Sequence, residues 1–126
     1  MARGARLTLL LSGGTGGAKL ARGLLDVAAD LTVVAYTGDD VEVYGVHVSP
    51  DPDLVTYWLA DAIDERGWGL RDDTWKVMEA LESAGVPHWF RLGDRDLASC
   101  LLRTERLRAG ASLTEAQAAV TAALDV

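Results

Sequence analysis

The sequence predicts an α/β fold built on a doubly wound parallel sheet. Three observations carry that prediction. Runs of β-type apolar residues alternate with helix-periodic stretches, glycine and aspartate turns sit where the strands end, and 126 residues, 49% hydrophobic and 25% charged, suffice for one domain with a core.

Arg6 to Leu11 reads as a buried strand, and after a glycine turn the stretch Lys19 to Ala28 places Leu20, Leu24, Leu25 and Val27 at helical spacing. "DLTVVAYT", Asp30 to Thr37, is rich in β-branched residues and ends at "GDD", so it forms a second strand. The intervening helix makes the pair parallel. "VEVYGVHVS", Val41 to Ser49, suits a short strand or an extended loop, which the two prolines of "SPDPD" then stop. From Asp53 an amphipathic helix runs to Gly67, and another spans Asp72 to Gly85. "VPHWFRLGD" reads as extended. Asp94 is placed to cap the helix "RDLASCLLRTERLRAG", and Ser112 with Glu115 forms a capping box for the last one. An open sheet of this class has more strands than the two read firmly here. The expectation is therefore the N-terminal part of a single domain, incomplete at the C-terminus.

A net charge of -7 argues against a nucleic-acid partner, because phosphate neutralisation needs clustered Lys and Arg. One cysteine and two histidines give neither an internal disulfide nor a zinc site of the usual spacing, and a reducing cytoplasm is the expected home. Arg3 and Arg6 ahead of "LTLLL" form too short a leader-like start. No stretch reaches the roughly 20 apolar residues that span a bilayer, so no membrane role is expected.

In "SGGTGGAKL", Ser12 to Leu20, the glycines let backbone N–H groups approach an anion at the start of a helix. The spacing is neither a P-loop, since no Ser or Thr follows Lys19, nor the dinucleotide fingerprint, whose third glycine would fall at Lys19. The plainer alternative is a tight turn for close strand–helix packing. "TGDD" and "SPDPD" add four carboxylates in loops, a hard-oxygen set that suits magnesium bridging to phosphates; ordinary cap and turn chemistry is the alternative. His47, His88 and Cys100 are left out of the site, and Trp58, Trp68, Trp75 and Trp89 are read as core or packing residues, with one available to line a pocket for a flat ring.

"SGGTGGAKLARGL", "TGDD", "SPDPDLVTY", "GWGLRDDTW" and "RLGDRDLASCLLRTERLRAGASLTEA" follow one another in a pattern that resembles the 2-phospho-L-lactate transferase family of coenzyme F-420 biosynthesis. That resemblance implies a Rossmann-like three-layer core with a parallel sheet. It implies magnesium-dependent transfer of a phospho-lactyl or enolpyruvyl group from a guanosine diphosphate-linked donor to the ribityl hydroxyl of the deazaflavin Fo, releasing GMP. Gly13, Gly14, Thr15, Gly16 and Gly17 would then cradle a phosphate or the end of the ribityl chain. Asp39, Asp40 and Asp51 would hold magnesium, with Asp51 and Asp40 as the catalytic carboxylates. Asp94 and Arg95 would orient the acceptor or brace the loops, and Arg103 would meet a phosphate. Tyr36, Leu54 and Cys100 depart from the family pattern, which has asparagine, threonine and histidine there. A homodimer, or a separately encoded C-terminal half, is the partner this resemblance implies.

Three other readings are weighed beside it. The first is a nucleotide-sugar-binding regulator of the gluconeogenesis-factor group, the second a truncated non-catalytic remnant, and the third a plain NAD-binding domain, disfavoured by the missing third glycine and by two carboxylates where one ribose-binding acid would do.

Overall fold

Why the parallel pair forms is visible in its alternation. In the computed structural model, which describes residues 6–126, β1 (Leu7–Ser12) and β2 (Asp30–Ala35) pair in parallel with Leu7 opposite Asp30 and Ser12 opposite Ala35. Arg3, part of the leader-like start, lies outside the described residues. One face of the pair puts Leu10, Val33 and Ala35 against Ala18 and Ala21 of α1 (Thr15–Leu24) and Val55 of α2 (Pro50–Leu59). The other face leaves Leu7, Leu9, Leu11 and Val34 at least half exposed. This mixed α/β arrangement bears out the predicted class and is consistent with a Rossmann-like fragment.

α1 starts four residues before the expected Lys19, so Thr15, Gly16 and Gly17 belong to its first turn. Gly17 explains part of this: a Cβ there would lie 2.3 Å from Ser12 Oγ and 2.9 Å from Ser12 Cα, so only glycine lets the helix start this close to β1. The segment after β2 is a hairpin and not a single strand. β3 (Val41–Val43) and β4 (Val46–Val48) pair antiparallel across Tyr44 and Gly45, both at positive φ (55° and 73°), as a two-residue primed turn requires. A tyrosine is unusual there. Its hydroxyl donates to Phe90 O at 2.6 Å, which anchors the strained residue.

α2 begins at Pro50, earlier than expected, and ends at Leu59, short of Gly67. Proline in the first turn lacks only an N–H that would be orphaned anyway. α3 (Lys76–Ser83), by contrast, starts later than the expected Asp72, α4 covers Asp94–Arg108, and α5 covers Leu113–Ala123 with the expected Ser112–Glu115 capping box. Between α3 and α4, the "VPHWFRLGD" stretch forms no strand. A second core gathers Val43, Val46, Val48, Met78, Leu92 and Cys100 beneath the hairpin. Among the described residues, no helix is long and apolar enough to cross a membrane.

Asp94 does not cap its own helix. Its carboxylate accepts from Thr74 Oγ1 at 2.5 Å and from the backbone N–H of Lys76 and Val77 at 3.1 and 3.0 Å, so it caps α3. Asp73 returns the favour to α4, accepting from the N–H of Arg95 at 2.8 Å and of Asp96 at 3.1 Å. Gly93 makes the exchange feasible, since a Cβ there would sit 2.1 Å from Asp73 Oδ2.

Candidate active site

Open parallel sheets gather polar groups at the carboxyl ends of their strands. After β1, Cβ atoms built on Gly13, Gly14 or Gly16 would meet nothing within 4 Å, so these three glycines face open space beside the N–H-bearing start of α1. Thr15 and Lys19 of α1 line a cleft of about 520 Å³ together with Asp51, Asp53, Leu54 and Tyr57 of α2. Glu65 to Gly69, Phe90 to Leu92, Asp96, and Val48 and Pro50 at the hairpin's end complete its lining.

After β2, the hairpin folds back onto Asp40. Ser49 Oγ donates to Asp40 Oδ2 at 2.8 Å, and His47 Nε2 lies 2.9 Å from the same oxygen. Asp40 Oδ1 is buried and has no partner. Ser49, at the cap position of α2, makes no side-chain cap bond there, its hydroxyl being turned to Asp40. Asp51, in the first turn of α2, has its carboxyl raised above the ordinary carboxylate value, first by burial and then by the charges of Asp39 and Asp40. The charges of Asp39 and Asp40 thus reach Asp51, but the ligand atoms of these three acids are not gathered within 4.8 Å of one another. What among them suits a hard cation is the orphaned buried oxygen of Asp40, an unpaired oxygen donor.

Deeper in the cleft, α2 and α4 exchange polar groups. Asp53, Asp96 and Cys100 bring ligand-type atoms within 4.8 Å of one another. The cation between these helices is already supplied by Arg103, whose side chain is fully buried. Its Nη1 and Nη2 donate to the two oxygens of Asp53 at 2.6 and 2.8 Å, Nη1 also reaches Gln117 Oε1 at 2.9 Å, and Nε reaches His47 O at 3.1 Å. The expectation that Arg103 meets a phosphate is thus corrected: every direction its guanidinium faces is taken by protein groups, and no face of it opens to the cleft.

Tyr57 donates to Asp96 Oδ1 at 2.7 Å. Burial pushes the Asp96 carboxyl up to about 6 and the Cys100 thiol up to about 12. Asp96 thus holds its proton longer in the folded than in the unfolded chain, so stability falls as pH rises from about 3.8 through about 6. Asp96→Asn, which keeps the acceptor for Tyr57, should flatten that fall and raise stability at pH 7 by roughly 2–3 kcal/mol. Urea unfolding at pH 4, 5, 6 and 7 checks this, and parallel pH profiles for the two proteins would refute it.

Asp94 and Arg95 are not among the cleft-lining residues. Asp94 is held below the ordinary carboxylate value, chiefly by the Thr74 hydroxyl, and Arg95 Nη1 donates to Arg71 O at 3.2 Å. Both brace loops. Of the tryptophans, Trp58 and Trp75 are partly buried against the cores, Trp68 meets Trp75 edge to face and is the one that lines the cleft, and Trp89, 77% exposed, meets Phe90. Of the departures noted above, Tyr36 is half exposed with its ring against Gly38, Leu54 lines the cleft and Cys100 is buried. Sequence reasoning missed His47, Ser49, Arg66, Arg91 and Asp96, and it left open which tryptophan lines the pocket. A signal for Asp96 was available: with Cys100 and Arg103 it marks an i, i+4, i+7 stripe, and such a polar stripe on a packed helix calls for buried partners.

A mixed α/β arrangement with a glycine-rich helix start, and with Lys19 and the acids Asp51, Asp53 and Asp96 lining one cleft, is what the described residues present. The chain belongs to the 2-phospho-L-lactate transferase CofD family, whose sequence profile matches residues 8–126. It is 48% identical over 120 residues to the phosphoenolpyruvate transferase of Streptomyces griseus, covering 92% of this chain and 36% of that relative. The protein of the same name from Kitasatospora aureofaciens is 46% identical over 110 residues, 83% of this chain and 34% of the relative. That from Mycobacterium leprae is 43% identical over 129 residues, with 87% and 38% covered. The chain thus spans little more than a third of the length of these relatives.

Proposed function

We propose that this chain carries the phosphate and metal end of a transferase site in coenzyme F-420 biosynthesis. The donor is a guanosine diphosphate linked to a three-carbon acid, the acceptor is the ribityl hydroxyl of the deazaflavin Fo, and GMP leaves. The relatives' name, phosphoenolpyruvate transferase, favours an enolpyruvyl over a lactyl unit on the donor. The observation that carries this reading is the buried, unpartnered Asp40 Oδ1, lying behind the cleft wall, whose charge is felt at Asp51, which lines the cleft with Thr15 and Lys19.

Asp39, Asp40 and Asp51 would hold magnesium, which when bound offsets negative charge on phosphate oxygens. The start of α1, with Thr15 and the space over Gly13, Gly14 and Gly16, receives the phosphate, and Lys19 adds a positive charge at the same wall. As the acceptor hydroxyl bonds to phosphorus, the bond to the GMP oxygen breaks and the hydroxyl proton passes to a nearby carboxylate. Asp51, a cleft-lining carboxylate, is the acceptor assigned to that proton. His47 and Ser49 act as positioning residues by fixing one oxygen of Asp40. A reducing cytoplasm suits the free, buried Cys100.

Calorimetric titration of the chain with GDP and magnesium tests the reading. Binding that disappears with a chelator and in Asp51→Asn supports it. Binding indifferent to both, or no heat from a folded chain, rejects it.

A further inference from the structure

The register of the β3–β4 hairpin decides which of its backbone groups need partners from outside. Val43 and Val46 close the two-residue turn and so exchange hydrogen bonds, which makes the next pair, Glu42 and His47, a non-hydrogen-bonded one. The N–H and C=O of His47 therefore point away from β3. Side chains of α4 meet them there. His47 N–H donates to Thr104 Oγ1 at 2.7 Å, Arg103 Nε donates to His47 O at 3.1 Å, and at the turn Arg108 Nη2 donates to Gly45 O at 3.0 Å.

Thr104 is the specific member of this set. It is buried, and its hydroxyl spends its one proton on Cys100 O at 2.7 Å, so only lone pairs face His47. The ring of that same His47 lies 2.9 Å from Asp40 Oδ2, while Asp40 Oδ1 stays buried and unpartnered. A line of contacts thus runs from Thr104 through His47 to Asp40. The neighbouring Arg103 reaches the other acid-bearing element, for it grips both oxygens of Asp53, two positions after Asp51 in α2. One point on α4 is fastened to both segments that carry the acids Asp40 and Asp51.

We propose that Thr104 is a positioning residue for the magnesium site: it fixes the backbone of His47, and through the His47 ring it holds one oxygen of Asp40 and leaves the other for the cation. This rests on the metal reading given above. Valine at this position keeps the shape of threonine but offers no acceptor, so the His47 N–H loses its partner and the strand end moves to find another. Serine keeps the hydroxyl and both of its bonds. Groups that orient a metal ligand directly change metal affinity by about 10–100-fold when removed. Thr104 acts one contact further back, so its effect is smaller.

The test titrates magnesium alone, by calorimetry, into the unaltered chain, Thr104→Val, Thr104→Ser and Asp40→Asn, with circular dichroism to confirm folding. Thr104→Val should weaken magnesium by about three- to tenfold, less than Asp40→Asn does, and Thr104→Ser should restore it to within about twofold. If Thr104→Val does not fold, Thr104→Ala takes its place with the same expected loss. A hydroxyl that serves only the stability of α4 gives a different result: Thr104→Val melts at a lower temperature while its magnesium affinity matches that of the unaltered chain. That result overturns the positioning role and leaves the metal reading standing, provided Asp40→Asn loses magnesium. Weakening in Thr104→Ser as large as in Thr104→Val also overturns it, because the hydroxyl is then not what matters. No magnesium binding by the folded, unaltered chain rejects the metal reading itself, and the role of Thr104 falls with it.

Discussion

Arg103→Met is expected to destabilise the fold by about 3–5 kcal/mol, the cost of leaving a buried charge without its partner. Asp53 is 4% exposed, and both its oxygens are held by this one guanidinium. Gln117 also donates to Asp53 Oδ1, at 3.3 Å, but a neutral amide cannot compensate a buried negative charge. Arg103→Lys should recover only part of the loss, since an ammonium cannot make the two-pronged contact. Asp53→Leu combined with Arg103→Met should be less harmful than the sum of the single changes, because no orphaned charge remains. Urea denaturation of the four variants closes the cycle. Additive effects, or a single-variant cost below about 1 kcal/mol, would show that the pair is not the tie between α2 and α4 described here.

Asp40→Asn should act in opposite directions on stability and on metal affinity. Without magnesium the substitution removes charge from a buried oxygen that has no partner, so the melting temperature should hold or rise. With magnesium, the unaltered chain gains about 2.7 kcal/mol at a hundredfold excess over Kd, and the variant should lose most of that gain. The amide explains why. Its oxygen can keep the bonds from Ser49 and His47, which turns its NH₂ donors to where a cation would need an acceptor. Thermal melts with and without magnesium read both effects, and an unchanged magnesium response in the variant would remove Asp40 from the metal site. His47→Ala should weaken the response less, since His47 only orients the ligand.

Much of this architecture was legible because its signals are local. The parallel pair followed from β-branched runs around a helical stretch, and the last helix from Ser112 and Glu115 three residues apart. Helix starts lie earlier than the sequence pattern suggests where glycine and proline read as breakers, since both are tolerated in a first turn, as Gly16 and Pro50 show. The hairpin was hidden because Tyr44 occupies its turn only through a bond to Phe90, 46 residues away. The same distinction holds in the site. Asp39, Asp40 and Asp51 stood out as loop acids near predicted strand and helix ends. Arg103 did not reveal its role, since its partner Asp53 lies 50 positions away on another helix.

The exchanged caps of α3 and α4 bear on how the cleft behaves under load. Each helix start draws its acceptor from the other's threshold, so fraying at one end strips the other of its anchor as well. Trp75 and Arg91 stand on either side of this knot, one residue before α3 and three before α4. They are hinged to a single block. Arg91, which lines the cleft, therefore cannot shift without disturbing both helix starts.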